Sequence, residues 1–250
     1  MKNKRTKTLS FDLWLTLIYE SDLSANSEIR RDIRSKKIQK KLSKNNIDVS
    51  IEKISSCFNK ISDSITEGHE KGFDRKFIQW VSKGVNNLVV DTDKVTDKLV
   101  KNIAAVIDDA FLEHPPQLLD GVLDMLSLLK ERYKIIMISN TGLTSPEAYI
   151  EWFKRINLYD KFDEFFFSNE LSLAKPSEKL FKMAFNSINS LPEDVLHIGD
   201  NPNTDICGAK NVGAHTVLIS NGITYQFSCK PDFFVDSVID VEQIVKEWDM

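Results

Sequence analysis

What most constrains this chain is a change of period along its length. Beyond residue 117, short apolar runs of strand character take turns with stretches of helical spacing. Val122 to Lys130 reads as helix, Lys134 to Ser139 as a buried strand, and Pro146 to Ile156 as a helix opened by Ser145 as N-cap and Pro146 in its first turn. Phe165 to Phe167 then reads as strand, Ser177 to Ile188 as helix, Val195 to Ile198 and Thr216 to Ile219 as strands, and Phe233 to Val235 as a last strand before a helix from Val241. One further strand, Thr8 to Leu13, stands alone near the start, apolar enough to be buried on both faces. Strands alternating with helices imply an α/β fold, a doubly wound Rossmann-like parallel sheet, whose ligands bind outside the carboxyl ends of the strands.

The lone strand is separated from the others by a stretch of different character. From about Glu20 to Gln117, Gly and Pro are scarce, charge is dense, and apolar residues recur at helical steps. Ile29, Ile33, Ile38 and Leu42 suggest one helix; Ile51, Ile54, Phe58, Ile61 and Ile65 a second; Phe77, Val81, Val85 and Leu88 a third; Val95, Leu99, Ile103, Val106 and Ile107 a fourth. A four-helix bundle fits, with Gly68 to Gly72 as an interrupting loop and His114-Pro115-Pro116 as its end. Residues 1–19 and 117–250 are therefore expected to form the core and residues 20–116 an inserted helical domain.

A net charge of −4 gives no general attraction to nucleic acid or to an anionic membrane, which makes a small metabolite the expected partner. No apolar run approaches the roughly 18 residues needed to span a bilayer. The basic start, Met1 to Lys7, leads into too short an apolar run for a signal peptide, and the expected location is cytoplasmic. Cys57, Cys207 and Cys229 are odd in number without CxxC spacing, so reduced thiols are expected. Trp80 and Trp152 read as packing residues, and the protein as a monomer or homodimer.

Polar residues stand at four strand ends that would face one crevice: Asp12 and Thr16, Ser139 and Asn140, Lys175, and Asp200 with Asp205. Three carboxylates that close cannot all ionise without a cation, and Lys175 supplies one positive charge. Hard oxygen ligands of this number suit Mg²⁺. Asp12 would then attack a phosphoryl group to form an aspartyl-phosphate, with Thr16, Ser139 and backbone N–H groups donating to the phosphoryl oxygens.

Phe11 to Leu17, Ile136 to Asn140, Lys175-Pro176 and His197 to Asp205 resemble, in order, the four motifs of the haloacid dehalogenase-like hydrolase superfamily, and the helical insertion is similar to that family's C1 cap. The resemblance implies Asp12 as nucleophile; Asp12, Asp200 and the Trp14 backbone carbonyl as Mg²⁺ ligands; Ser139 and Lys175 on the phosphoryl group; and Asp205 in support of the metal. It implies a Mg²⁺-dependent hydrolase of a small phosphorylated metabolite.

Trp14 departs from the pattern. Phosphatases of that family carry a second Asp there, as general acid and then base, and indole has no proton to transfer near neutral pH. Three readings follow: a phosphatase whose cap supplies the acid from His69 or Glu70; a 2-haloacid dehalogenase, whose family members carry an aromatic residue there but lack the acidic fourth motif; and a catalytically weak or non-enzymatic metal-binding relic with Trp14 plugging the crevice. The family's phosphonate-cleaving members also lack the second Asp, but carry a small residue there, which Trp14 does not match.

Overall fold

The computed structural model describes residues 7–20, 25–220, 222 and 228–249, the side chains of 25 and 26 excepted; the basic start at 1–6 lies outside the described residues. Among the described residues there are eight strands: β1 (Thr8–Phe11), β2 (Ile18–Tyr19), β3 (Gln117–Leu118), β4 (Lys134–Ser139), β5 (Glu164–Phe167), β6 (Val195–Gly199), β7 (His215–Ile219) and β8 (Phe233–Val235). Six of them make a sheet in the order β5-β4-β1-β6-β7-β8, parallel throughout, while β2 and β3 pair antiparallel at the two ends of the helical insertion.

Strand alternation sorts the side chains. Leu9, Phe11, Ile135, Met137, Leu196 and Ile198 enter one apolar cluster, and Ile136, Ile138 and Val195 enter another on the opposite face. Burial on both faces is why these runs read as continuously apolar. The exceptions are paired: Thr8 Oγ1 meets Ser190 Oγ at 2.6 Å and Ser10 Oγ meets His197 Nδ1 at 2.9 Å. Because β1 lies between β4 and β6, the chain reverses direction across the sheet there, and the crevice opens at its carboxyl end.

The helices are α1 (Ala25–Ser43), α2 (Ile51–Glu70), α3 (Phe77–Leu88), α4 (Asp97–Glu113), α5 (Val122–Lys130), α6 (Pro146–Arg155), α7 (Ser168–Leu171), α8 (Glu178–Ser187), α9 (Gly208–Asn211) and α10 (Val241–Asp249). Ser145 caps α6 by accepting from Ala148 N at 3.1 Å, with Pro146 in the first turn. Helices α1 to α4 pack each against the next, α1 closing on α4, around an apolar cluster of their own. Ile54, Phe58, Ile61 and Ile65 of α2, Phe77, Val81, Val85 and Leu88 of α3, and Leu99, Ile103 and Ile107 of α4 bury inside this bundle.

Three expectations need correction. Gly68, His69 and Glu70 are not a loop: α2 runs on through Glu70, because Gly68 is tolerated where its missing Cβ would meet the Phe73 carbonyl, and the turn comes at Lys71-Gly72. The buried face of α1 does not run through Ile29, which is 45% exposed; it follows steps of four through Arg30, Arg34, Ile38 and Leu42. Cys207 and Cys229 are joined in a disulfide, their Cα atoms 5.2 Å apart across 22 residues, and Cys57 is the free thiol. Spacing along the chain carries no trace of that approach. Among the described residues no helix is long and apolar enough to cross a membrane.

Candidate active site

Beyond β1 the backbone keeps one more sheet bond, Asp12 N to Ile198 O at 2.9 Å, and then turns sharply. Leu15 takes a left-handed conformation, φ 58°, which an L-residue with a Cβ adopts at a cost of about 1 kcal/mol or more. Leu15 N reaches Ile18 O at 2.8 Å and Leu17 N reaches Leu13 O at 2.9 Å, locking the turn. This turn holds Asp12 and Trp14 on one wall of a cavity of about 310 Å³ whose other walls bring Asn140, Lys175, Asp200 and Asp205.

Lys175 is the centre of the polar network. It is 1% exposed, and its Nζ donates to Asp12 Oδ1 at 2.5 Å and to Asp205 Oδ1 at 2.6 Å. Asn140 positions it: its Oδ1 accepts from Lys175 N at 2.7 Å and its Nδ2 donates to Lys175 O at 3.0 Å. Asp205 also accepts from His197 Nε2 at 3.3 Å and from Asn201 N at 3.0 Å. It can lie this close to β6 because residue 199 is glycine; any Cβ there would collide with the Asp205 carboxyl.

Charge follows geometry. Burial alone would raise the Asp205 carboxyl, but Lys175 and His197 overcome it and hold it well below the usual carboxylate range. Burial likewise works against the Lys175 ammonium, and Asp12 and Asp205 reverse the effect, raising it. Asp12 is pushed up to about 6, by burial first, against the Lys175 charge and with that of Asp205. Asp200 is pushed up to about 8 by burial and then by Asp205 and Asp12. Carboxylate oxygens of Asp12, Asp200 and Asp205 lie within 4.8 Å of one another. Three acids against one lysine are a donor set short of positive charge, which fits a hard divalent cation. Asp205, with both oxygens committed to protein donors, suits support from behind the ion better than direct contact.

A measurable consequence follows in metal-free protein. A carboxyl whose folded value is near 8 and whose unfolded value is near 3.8 binds its proton more tightly when folded, so stability falls as pH rises toward 8. Between pH 6 and 8 the loss is about 2 kcal/mol, or roughly 4–8 °C in Tm for a chain of this size. Asp200→Asn is expected to flatten that slope in EDTA-treated protein, and saturating Mg²⁺ to flatten it in wild type. An unchanged slope in the variant, read by thermal denaturation at several pH values, refutes the assignment.

Not every expected residue reaches the cavity. Thr16 and Ser139 are fully buried and do not line it; Ser139 Oγ donates to Asn140 O at 3.5 Å, and Thr16 Oγ1 has no partner among the described residues. His69 and Glu70 do line it, as does Trp14, whose Nε1 donates to Tyr149 OH at 3.0 Å. Behind His69 is a residue the sequence did not single out, Asp74, fully buried. It accepts from His69 Nε2 at 3.0 Å, Ser168 Oγ at 2.6 Å, Arg75 N at 2.6 Å and Trp80 Nε1 at 2.7 Å. Trp80 therefore does more than pack. The available signal was an acid, Asp74, between Gly72 and a helix start.

A family model described as haloacid dehalogenase-like hydrolase matches residues 6–213. Among similar proteins are a glyceraldehyde 3-phosphate phosphatase of Pyrococcus furiosus, 33% identical over 115 residues (46% of this chain, 47% of that one). The pyrophosphatase PpaX of Bacillus cereus is 28% identical over 127 residues (48% and 55%). The chain thus spans about half the length of the relatives it matches. Similar solved structures include a 2-haloacid dehalogenase from Pseudomonas syringae pv. Tomato, TM-score 0.73 at 18% identity over 98% of this chain and 100% of that one. A phosphatase from Thermococcus onnurineus superposes at TM-score 0.61, 16% identity, over 96% and 97%. At these identities the structures speak for the fold alone. With the family model covering most of its length, the chain belongs to the haloacid dehalogenase-like hydrolases.

Proposed function

We propose that this hydrolase is a Mg²⁺-dependent phosphatase of small phosphorylated metabolites that works through a phosphorylated Asp12, with α1–α4, residues 20–116, acting as a C1-type cap over the core of residues 1–19 and 117–250. The observation that carries this is Lys175 bridging Asp12 and Asp205 while Asp200 faces the same cavity. The two phosphatase names among the relatives agree with it. The acidic fourth motif weighs against the dehalogenase reading.

Asp12, Asp200 and the Trp14 carbonyl would hold Mg²⁺, which would supply the positive charge that lets an anionic phosphoryl group approach a carboxylate. Lys175 shares that role, orients Asp12, and is itself kept in place by Asn140. The Asp12 carboxylate attacks phosphorus; the phosphorus–oxygen bond to the leaving alcohol breaks, and the electron pair departs on that oxygen. Trp14 supplies no proton for it. His69, oriented by Asp74 and lining the same cavity, is the imidazole placed to serve in its stead. It protonates the leaving oxygen and then takes a proton from the water that attacks the acyl phosphate, releasing inorganic phosphate and restoring Asp12.

The test is Mg²⁺-dependent release of phosphate from p-nitrophenyl phosphate together with label trapped on Asp12. Absence of both from folded protein sinks the reading, and chloride release from a 2-haloacid without Mg²⁺ replaces it with dehalogenation. The His69 assignment has its own readout. p-Nitrophenolate leaves without help, whereas an alkoxide needs a proton, so His69→Gln is expected to slow propyl phosphate hydrolysis by about 10²-fold or more, and p-nitrophenyl phosphate by less than about 10-fold. Equal losses on the two substrates exclude His69 as the acid.

A further inference from the structure

Beside the nucleophile's cavity lies a second one of about 300 Å³, sharing Trp14, Thr66, His69 and Asn140 as a common wall. Its far side is built by α1 and presents Arg30, Arg31 and Arg34, with no carboxylate among the described residues that line it. Arg30 is answered: it donates to Glu20 Oε1 at 2.7 Å and to His114 O at 2.8 Å. Arg34 is not. It is 8% exposed, its guanidinium lies 5.7 Å from the Phe58 ring, and Nε and Nη2 are buried with no acceptor among the described residues.

A buried guanidinium with two idle donors is costly, because each forfeits its bond to water without a replacement. The strain registers in its acidity: burial, and then the charges of Arg31 and Arg30, lower it from 12.5 to about 10. A helix that merely needed to bury this face would carry an apolar residue at position 34, in line with Ile38 and Leu42. Arg34 instead puts a guanidinium in the wall of a cavity next to that of the attacking carboxylate, and a guanidinium carries the planar fork of donors that takes a carboxylate or phosphate in two parallel hydrogen bonds.

We propose that this cavity holds a second anionic group of the substrate, so that the ester cleaved at Asp12 belongs to a small metabolite with a carboxylate or second phosphate at its other end, gripped by Arg34 with Arg30 and Arg31 adding field. The inference rests on the phosphatase reading for which end of the substrate meets Asp12.

The experiment measures Kd by calorimetry, with Mg²⁺, on full-length Asp12→Asn protein, for propyl phosphate, 3-phosphooxypropanoate and propane-1,3-diol bisphosphate, and for their five-carbon homologues. At least one anionic-tailed ligand is expected to bind 10-fold or more tighter than the neutral-tailed ligand of equal length, and which tail wins distinguishes carboxylate from phosphate. Adding Arg34→Met is expected to shrink that advantage below about 3-fold and, without ligand, to leave Tm unchanged or higher, since an unanswered charge is removed. No advantage for either tail overturns the proposal, as does a Tm falling by more than about 5 °C, which marks Arg34 as structural. Phosphate release by wild type is assayed separately. An anion-tail advantage in a protein that hydrolyses no ester supports the site while the phosphatase reading fails; turnover without the advantage is the reverse.

Discussion

Asp12→Asn is expected to lower phosphate release from p-nitrophenyl phosphate by at least about 10⁴-fold, the scale on which deleting an attacking group acts, while leaving the fold as stable as before. The two effects separate because the side chain has two unlike roles. In chemistry it is the atom that bonds to phosphorus, and an amide of the same shape is a far poorer nucleophile. In stability it is one of three carboxylates around a single lysine, and burial pushes its carboxyl up to about 6. Removing that charge relieves repulsion among Asp12, Asp200 and Asp205, and Lys175 keeps Asp205 at 2.6 Å. Metal-free Asp12→Asn should therefore melt at or above the wild-type temperature at pH 8, where the repulsion is largest. An inactive variant that also melts many degrees lower would show that lost folding, and not a lost nucleophile, explains the inactivity. A variant that keeps most of its activity removes Asp12 from the mechanism.

The contrast among the site's residues explains why some were legible in the sequence and others were not. Asp12, Asn140, Asp200 and Asp205 follow apolar runs that are buried on both sheet faces, so hydrophobic period alone locates the strand ends, and parallel topology sends those ends to one crevice. The bundle was legible for the same reason, since Phe58, Ile61, Val81 and Ile103 recur at helical steps and all bury. Arg34 was not, because a periodic reading searches for apolar residues and took Ile29 and Ile33 as the stripe, whereas the packed face of α1 carries arginines at those levels. Asp74 was missed although His69, Arg75 and Trp80 lie within six residues of it, because hydrophobic period marks where helices begin and end and not what a polar residue between them binds; its fourth donor, Ser168, is 94 residues away. Thr16 and Ser139 show the opposite error. Both stand in the expected motifs, but a strand end has two sides, and theirs is the buried one. The disulfide between Cys207 and Cys229 depends on a three-dimensional approach that no spacing rule records.

Lys175→Met should produce the larger joint loss: catalysis down by about 10³-fold or more and, in metal-free protein, stability down by roughly 3–5 kcal/mol, the usual cost of removing one partner from a buried ion pair. Methionine fills nearly the same volume, so the effect is electrostatic and not a cavity. With the ammonium gone, Asp12 and Asp205 lose the partner at 2.5 and 2.6 Å that keeps them ionised. Their folded-state acidities weaken, protons bind more tightly to the folded chain, and the variant's stability falls more steeply than wild type's as pH rises from about 5 toward 8. Two additions locate the cause. Saturating Mg²⁺ should raise the Tm of Lys175→Met more than that of wild type, because the ion supplies charge the variant lacks. Adding Asp205→Asn should recover much of the stability, since it removes a charge now buried without a cation, yet recover little activity, because the group that orients Asp12 and faces the phosphoryl oxygens is still missing. If the double variant regains turnover along with its Tm, the lysine acts only by neutralising Asp205. If Lys175→Met melts like wild type at every pH, Asp12 and Asp205 are not held ionised by Lys175, and the charge arrangement from which the phosphatase reading was built does not exist in solution.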